Sequence, residues 1–318
     1  MVELSIVIPA YNEAESLPEL LAWIRRVCEG RFTQYEIWVI DDGSQDATWT
    51  VLEKLKAEHP RHLRALRFAR NYGKSAALQV GFQRAQGQVI VTLDADLQDS
   101  PDEIPPLYDM ITQEGYDLVS GWKKHRRDPL SKRLPSRLFN YVVRWVTGIP
   151  LHDFNSGIKA YKAHAAKAIE LYGEMHRYIP YLVKSAGFTR IGEKIVTHYP
   201  RKYGYSKFGW ERFIYGFLDL LTVSFLVRFG RRPMHLFGSL GILAFLIGLA
   251  TVSWLIYDKL HQLTLYGSVR REVYQQPLFY LGLASAVIGV QLFLAGFLGE
   301  LFLRQNPHKH TYTILSEL

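Results

Sequence analysis

Two long uncharged stretches near the C-terminal end constrain the fold of this 318-residue chain more than any other feature. They cover residues 236–257 and 278–299, and neither contains Asp, Glu, Lys or Arg. At a rise of about 1.5 Å per residue, each is long enough to cross the hydrocarbon core of a bilayer as a helix. A core helix of this length in a soluble protein would normally carry a polar stripe. The sequence therefore predicts two transmembrane helices, with the lipid bilayer as a partner.

Basic residues flank both stretches on their outer sides. They are Arg228, Arg231 and Arg232 before the first stretch, and Arg304, His308 and Lys309 after the second. Because cytoplasmic flanks carry an excess of Lys and Arg, both flanks are predicted to be cytoplasmic. Lys259, Arg270 and Arg271 between the stretches weaken this bias without reversing it. The single cysteine, Cys28, gives no sign of an oxidising compartment.

The first hundred residues alternate apolar, strand-like runs with helical patterns. The predicted strands cover residues 4–8, 36–40, 63–68 and 89–93, and two of the predicted helices cover residues 15–29 and 46–58. Such alternation is typical of parallel βαβ units, so the predicted fold class is α/β. Ligands of open parallel sheets bind outside the carboxyl ends of the strands. The segments that follow the four strands, residues 9–13, 41–44, 69–74 and 94–98, are all polar and are predicted to form one site.

Asp94 and Asp96 are the strongest candidates for chemistry in this predicted site. Carboxylates two residues apart at the end of a strand point to the same side, and Gln98 could add an amide oxygen. Hard divalent cations such as Mg²⁺ prefer oxygen ligands and neutralise charge on phosphates. The pattern predicts a metal, Mg²⁺ or Mn²⁺, held on a diphosphate.

Three other residues of the predicted site allow two interpretations each. Asp41 follows the second strand, where a carboxylate can bind ribose hydroxyls or a base imino group, or can simply cap the turn into the next helix. Arg70 and Lys74 are candidates for binding the diphosphate, or are solvated surface charges.

The formal net charge of +8 suggests an anionic partner. Basic residues cluster in segments 123–137 and 201–207, and the second cluster precedes a largely apolar segment, 208–227. This segment is predicted to be an amphipathic helix in the membrane interface, with a third span as the alternative. Because the basic clusters accompany a membrane-facing segment and no nucleic-acid motif, nucleic acid is not the predicted partner.

Three segments, 9–13 (PAYNE), 41–44 (DDGS) and 94–99 (DADLQD), together resemble the family 2 glycosyltransferases of GT-A fold. Within that family the chain resembles, over essentially its whole length, the branch that acts on polyprenyl phosphates. The resemblance implies inverting transfer of a single sugar, glucose from UDP-glucose, to undecaprenyl or dolichyl phosphate. It further implies an integral protein of the bacterial plasma membrane with a cytoplasmic catalytic domain, and a homo-oligomer, a tetramer in the two-span type.

The resemblance also implies roles for individual residues. Asp96 and Gln98 would bind the metal, and Asp94 would support the donor. Asp153 would act as a base or position the acceptor, although an ionised lipid phosphate has little need of a base. The remaining donor-binding residues would be Pro9, Tyr11, Glu13, Asp41 and Lys74. The acceptor-phosphate residues would be Lys132, Arg133, Ser136, Arg137, Arg201, Ser206 and Lys207.

The predicted domain order has four parts. They are a GT-A catalytic domain at 1–207, juxtamembrane amphipathic helices at 208–232, a two-helix anchor at 233–303 and a cytoplasmic tail at 304–318. Two alternatives stay open. A processive polysaccharide synthase would need several more spans and a Gln-Xaa-Xaa-Arg-Trp motif, but Arg144 and Trp145 lack the glutamine. A catalytically silent membrane scaffold would not need the intact acidic cluster.

Overall fold

The computed structural model describes residues 2–124, 140–200, 202–203, 225, 233–268, 271–305 and 314–317. For residues 303–305 and 314–317 it describes the backbone only. The chain divides into two compact units. One comprises Met1–Ser224 with Thr311–Leu318 and is called the sheet unit, and the other comprises Phe225–His310 and is called the helix unit.

The sheet unit alternates strands and helices along the chain. Its elements are β1 (Leu4–Ala10), α1 (Leu17–Glu29), β2 (Tyr35–Asp41), α2 (Thr48–Glu58), β3 (Leu63–Phe68), α3 (Lys74–Arg84), β4 (Val89–Thr92), α4 (Ile104–Thr112), β5 (Leu118–Trp122), α5 (140–147), β6 (Lys159–Lys162), α6 (Ala163–Lys167), α7 (Ile179–Ser185), β7 (Ile191–Ile195) and, after the helix unit, β8 (Ile314–Glu317). The helix unit contains α8 (Pro233–Tyr266) and α9 (Pro277–Gln305).

One eight-stranded sheet runs through the sheet unit in the order β7-β5-β6-β4-β1-β2-β3-β8. The neighbours β1 and β2, β1 and β4, and β2 and β3 pair in parallel, as the alternating sequence pattern predicts. Every residue of β2 is buried, which is expected of a central strand covered on both faces. The α/β fold class is confirmed, although the sheet is mixed, because β6 and β8 are antiparallel to their neighbours.

The strand directions determine which loops meet. The parallel strands β1 to β4 place their carboxyl ends at the same edge. Because β6 is antiparallel to both β4 and β5, it begins at this edge and β5 ends there. Strand β7 pairs in parallel with β5 and therefore ends at this edge as well. The loops after six strands and the loop before a seventh thus share one edge, which we call the carboxyl edge.

Helix α1 shows how the sequence pattern produces the packing. Leu17, Leu20, Leu21 and Ile24 recur at helical spacing and all are buried. The helix begins at Leu17, and α2 begins at Thr48, whose backbone N–H donates to the Asp46 carboxylate at 3.0 Å. Both helices therefore start two residues later than their sequence patterns predict, because the preceding polar residues form the turns.

The helix unit exposes its apolar residues, whereas the sheet unit buries them. Its two helices have mean hydropathies of 2.2 and 2.1 in their most apolar windows, and only 17% of each window is buried. They pack through small residues, since a Cβ added at Gly248 would lie 2.6 Å from the backbone nitrogen of Ala286, and one at Gly289 would lie 2.6 Å from the Gly241 carbonyl oxygen. Close backbone approach at small residues is how helices associate in lipid. Both helices are candidate membrane spans.

The segment predicted as a C-terminal tail contributes a strand to the sheet. Strand β8 pairs antiparallel with β3 and covers an edge that would otherwise expose unpaired backbone groups. The chain therefore leaves the sheet unit for the two helices and then returns to it.

Candidate active site

The Asp94–Asp96 cluster lies in a turn at the carboxyl edge. Strand β4 ends at Thr92, and Leu97 takes a φ of 59°, so the alternation of an extended strand does not orient these two carboxylates. That step of the sequence argument is wrong, although the residues lie at the predicted edge. The ammonium of Lys74, the first residue of α3, lies 2.5 Å from Oδ1 of Asp94. The fourth strand end and the helix after the third are thus joined by an ion pair.

Asp96 and Gln98 present oxygen atoms suited to a hard cation. The backbone N–H of Gln98 donates to Oδ1 of Asp96 at 3.2 Å. The Gln98 amide nitrogen faces the Tyr199 carbonyl oxygen at 3.5 Å, which leaves the amide oxygen as an acceptor. Within the described ranges, no group of three or more His, Cys, Asp or Glu side chains could hold a metal. A cation here would need further oxygen ligands from a bound molecule, as Mg²⁺ sites on phosphates commonly do.

The loops that follow β1 and β2 are tied to each other. Asn12, with a φ of 56°, donates its backbone N–H to Oγ of Ser44 at 2.8 Å. The backbone N–H of Glu13 donates to Oγ1 of Thr48 at 2.9 Å. The predicted donor-binding residues Pro9, Tyr11 and Glu13 are half-buried along this junction. The structure therefore brings these predicted residues to the same edge as the acidic cluster.

Asp41 is fully buried at the end of β2. Its Oδ1 accepts the backbone N–H of Ser44 at 2.9 Å, and its Oδ2 lies 3.4 Å from Nε of Arg67. Burial raises the pKa of this carboxyl, against the opposing effects of Ser44 and Arg67. The side chain thus orders the loop after β2, which agrees with the capping interpretation.

Asp42, the residue after Asp41, orders a different loop. Its two carboxylate oxygens accept the backbone N–H groups of Tyr72 and Gly73 at 2.7 and 2.9 Å. It therefore fixes the loop before α3, whereas Asp46 fixes the start of α2. Burial raises the pKa of Asp42 to about 6. Arg70 is exposed, with its guanidinium 4.9 Å from the centre of the Tyr72 ring.

A buried ion pair that the sequence analysis missed lies beside the acidic cluster. Asp99 is 1% exposed, its Oδ1 lies 2.6 Å from Nζ of Lys123, and His198 lies 3.6 Å away. Burial alone would raise the pKa of Asp99, but Lys123 and His198 outweigh it and lower this pKa. Asp99 was recognised only as the last residue of the 94–99 motif. Lys123 and His198 follow β5 and β7, whose positions in the sheet were not predicted.

The loop before β6 approaches the same carboxylates. A Cβ at Gly157 would overlap the Asp94 carboxylate and lie 2.8 Å from Oδ2 of Asp99, so only glycine fits here. Asp153 is 3% exposed, and its Oδ1 accepts the backbone N–H of Asn155 at 3.2 Å. The structure thus brings Asp153 to the carboxyl edge, with its side chain buried.

The sequence analysis also missed Lys159. It is 3% exposed and donates a hydrogen bond to the Ser156 carbonyl oxygen. Burial, reinforced by the charge of Lys74, lowers its pKa to about 8. It lines a small polar pocket together with Lys74, Thr92 and His176. Lys74, Lys123 and Lys159 therefore lie at the same edge as the acidic cluster, and such a mixture of charges can bind an anion and a cation together.

All seven predicted acceptor-phosphate residues lie outside the described residues. These are Lys132, Arg133, Ser136, Arg137, Arg201, Ser206 and Lys207. The same holds for segment 208–227, of which only Phe225 is described. In the described part of the 201–207 loop, Nζ of Lys202 lies 2.6 Å from Oε2 of Glu19 on α1.

Comparisons with known proteins agree with this fold and show the family of the chain. Residues 5–179 match the model of the family described as Glycosyl transferase family 2. Over 304 residues, 95% of this chain and 88% of its relative, the chain is 35% identical to dodecaprenyl-phosphate galacturonate synthase of Rhizobium johnstonii. It is also 41% identical over 69% of its length to undecaprenyl-phosphate 4-deoxy-4-formamido-L-arabinose transferase of Shewanella sediminis, covering 65% of that protein. The chain belongs to glycosyl transferase family 2.

Solved structures support the fold alone, because their sequence identity is low. Glucosyl-3-phosphoglycerate synthase from Mycobacterium tuberculosis, in complex with Mn²⁺, UDP-glucose and phosphoglyceric acid, is 20% identical with a TM-score of 0.53, covering 70% of this chain and 80% of that chain. A mannosyltransferase from Pyrobaculum calidifontis, in complex with GDP-Man and Mn²⁺, is 14% identical with a TM-score of 0.52 over 95% of this chain and 79% of that chain. The GT-A fold implied by the resemblance is confirmed.

Proposed function

We propose that this chain transfers one sugar from a nucleotide-diphosphate sugar to the phosphate of a polyprenyl lipid, with the help of a divalent cation. The main support is that Asp94, Asp96 and Asp99 lie together with three lysines at the carboxyl edge of a family 2 fold. The lysines are Lys74, Lys123 and Lys159. The same chain also has two candidate spans. The relatives from Rhizobium and Shewanella, both named for polyprenyl-phosphate substrates, support the lipid acceptor.

Asp96 and Gln98 would hold the cation, Mg²⁺ or Mn²⁺, through one carboxylate and one amide oxygen. The donor diphosphate would complete its ligands, which fits a site with few protein ligands. When bound, such a cation neutralises charge that develops on the leaving diphosphate. Mn²⁺ is present in the structures from Mycobacterium and Pyrobaculum that share this fold, which is consistent with a divalent cation here.

The reaction needs no proton to be removed. An oxygen of the ionised lipid phosphate attacks the anomeric carbon of the sugar. The bond from that carbon to the diphosphate oxygen breaks, and its electron pair leaves with the nucleoside diphosphate, so the anomeric configuration inverts. Asp153 would therefore position the acceptor, since an ionised phosphate is already the nucleophile.

Lys74 supports the donor side of this scheme. Paired with Asp94 at 2.5 Å, it remains one-third exposed at the start of α3 and can turn its charge toward a diphosphate. Asp94 would keep this ammonium in place. Pro9, Tyr11, Glu13 and Asp41 would form the nucleotide side of the cleft, with Asp41 acting mainly by ordering the loop after β2.

Strand β8 supports a common side for the catalytic domain and the C-terminal end. Because β8 belongs to the sheet of the catalytic domain, the chain must cross the bilayer an even number of times between β7 and β8. Two crossings by α8 and α9 satisfy this condition, whereas a third span at 208–227 would not. We propose that this common side is the cytoplasm, where the basic flanks are expected.

The acceptor and the sugar can be tested in one assay. Membranes containing the full chain are incubated with undecaprenyl phosphate and labelled nucleotide sugars carrying glucose, galacturonate or 4-deoxy-4-formamido-L-arabinose. We expect label to enter the lipid phase with one sugar, in a reaction that requires Mg²⁺ or Mn²⁺. Glucose stays the prediction from sequence, while the relatives support the other two sugars.

The metal assignment is tested by Asp96→Asn. This change should lower transfer by at least about 100-fold at saturating metal, because a cation at a developing charge contributes several kcal/mol. Asp109→Asn, on α4 and paired with Arg31, is the matched control and should keep wild-type transfer. Wild-type transfer by Asp96→Asn would contradict the metal role, and no labelled lipid with any donor would contradict the proposed function.

A further inference from the structure

Helix α5, residues 140–147, is fixed against the sheet unit by one face. Asn140, Val143 and Thr147 on this face are buried. The Asn140 side-chain oxygen accepts the backbone N–H of Phe154 at 3.3 Å, and Nζ of Lys184 donates to the Thr147 carbonyl oxygen at 3.2 Å. Because contacts at Asn140 and Thr147 fix the described part of this helix, its opposite face has a defined direction.

That opposite face is apolar. Tyr141 is 67% exposed, Trp145 one turn later is 80% exposed, and Val146 is 37% exposed. A surface helix of a soluble domain normally turns polar residues outward. Trp145 is the most exposed large hydrophobic residue in the described part of the chain, more so than any in the candidate spans.

We propose that Tyr141 and Trp145 insert into the headgroup region of the bilayer, so that the sheet unit has a membrane contact of its own. Trp and Tyr are enriched at membrane interfaces, because each ring buries an apolar body and keeps a polar group near water. This contact goes beyond sugar transfer, and the lipid-acceptor role it would serve rests on the proposed function.

Charge complementarity favours lipid as the occupant of this face. In the sequence, the basic segment 124–137 precedes the described part of α5 and holds six Lys and Arg residues, not counting Lys123, whose ammonium is buried against Asp99. Such a segment is attracted to anionic headgroups, at about 1 kcal/mol per basic residue near the surface. The two candidate spans of the same chain, if they cross a bilayer, would also keep the sheet unit near a membrane.

The size of the patch argues against a second protein. Two aromatic side chains bury about 150–250 Å² each, whereas a stable protein interface needs about 800 Å² per partner. Contact with a lipid surface needs no minimum buried area in this proposal. The candidate spans would attach the chain to the bilayer, and the two aromatic side chains would only set how deeply α5 lies in the headgroup region.

Site-specific labelling can test the contact with the full chain. The only native cysteine, Cys28, is fully buried and its thiol pKa is raised to about 12 by burial, so it should not react. Trp145→Cys and Tyr141→Cys are labelled with a fluorophore and reconstituted into vesicles of phosphatidylcholine and phosphatidylglycerol. Glu53→Cys, on the exposed face of α2, is the matched control.

Nitroxide lipids should quench the labels at positions 141 and 145 several-fold more strongly than the label at position 53. Headgroup-level nitroxides should quench more than deep acyl-chain nitroxides. Equal quenching at positions 145 and 53 would overturn the proposal. A second outcome would also overturn the proposal. If lipid nitroxides do not quench the label at 145, but the label becomes protected from solvent as the protein concentration rises in detergent, the face contacts a second copy of the chain.

A kinetic comparison separates this proposal from the proposed function. In vesicles, Trp145→Ser should raise the apparent KM for undecaprenyl phosphate several-fold and leave the KM for the nucleotide sugar unchanged, while Trp145→Phe should behave nearly as wild type. Equal changes in both KM values would count against a membrane contact. If the wild type transfers no sugar, the quenching result still decides the contact.

Discussion

The sheet unit and the helix unit bury opposite kinds of surface. In the sheet unit, large apolar residues such as Ile8 and Leu20 have no exposed surface, and charged residues such as Asp99 are buried only with partners. In the helix unit, Leu246 and Ile247 are more than half exposed, and glycines lie inside. The first arrangement is stabilised by removing apolar surface from water, whereas the second has the surface expected of helices that pack closely in lipid.

The two units also differ in where their charged residues lie. In the helix unit, the central stretches 236–257 and 278–299 contain no Asp, Glu, Lys or Arg, so they can anchor the chain without taking part in the reaction. All the buried ion pairs described above belong to the sheet unit and lie at its carboxyl edge. Substitutions in the two units should therefore fail in different ways.

The largest expected effect comes from making the same substitution in both units. Leu20→Ala should lower the free energy of unfolding of the sheet unit by about 2–5 kcal/mol, because it leaves a cavity in a closed core. Leu246→Ala, at a residue 53% exposed, should have almost no effect on the helix unit in lipid. Hydrogen exchange of the full chain in nanodiscs, followed for β1 and α8 separately, measures both. A loss at Leu246 as large as at Leu20 would show that α8 is packed as a soluble core helix.

Sequence reasoning predicted the parts of the fold that depend on local patterns. Strands β1 to β4 follow from short apolar runs, α1 from the spacing of Leu17, Leu20 and Ile24, and the two long apolar helices from uncharged length. The same reasoning placed Asp94 and Lys74 at one edge, because the carboxyl ends of parallel strands meet.

The missed features depend on pairing between distant segments. Lys123 reaches Asp99 only because β5 runs parallel to β4 with β6 between them, and His198 arrives from the end of β7. No local pattern encodes that order of strands. Strand β8 is a similar case, since its four residues become a strand by pairing with the free edge of β3.

The next largest expected effect is that of a substitution at Gly157, where a larger side chain would collide with the Asp94 carboxylate. Gly157→Ala should reduce transfer by about 100-fold, because a displacement of about 1 Å in a reacting site can cost that factor. Its added Cβ would displace the Asp94 carboxylate. Gly30→Ala is the control, since a Cβ there meets nothing within 4 Å. Transfer assays at saturating donor, with circular dichroism to verify folding, distinguish a lost geometry from a lost fold. Equal rates for both variants would contradict the close approach of the loop before β6.

The smallest expected effect is a pH dependence that should belong to the sheet unit alone. Burial and the charge of Lys74 lower the pKa of Lys159 from 10.5 to about 8 in the folded chain. Between these two values the unfolded chain binds more protons, so the free energy of unfolding should rise with pH, by at most about 1.4 kcal/mol per pH unit. Below pH 8 both states are protonated, and this contribution is constant. Hydrogen exchange of β6 at pH 8 and pH 9.5, corrected for the intrinsic exchange rate, measures the slope.

Lys159→Met should flatten that slope, because it removes the titrating group while keeping an unbranched apolar chain in the buried space. Lys54→Met, at an exposed position of α2, is the matched control and should keep the wild-type slope. In the helix unit, hydrogen exchange at the centre of α8 should not depend on pH in this way in either variant. Residues 236–257 contain no Asp, Glu, Lys or Arg that could titrate. A slope that persists in Lys159→Met would mean that another buried group at the carboxyl edge titrates in this range. If the free energy of unfolding measured for α8 rose with pH by the same amount, the two units would not unfold separately. The units would then differ in the surfaces that they bury but not in their stability.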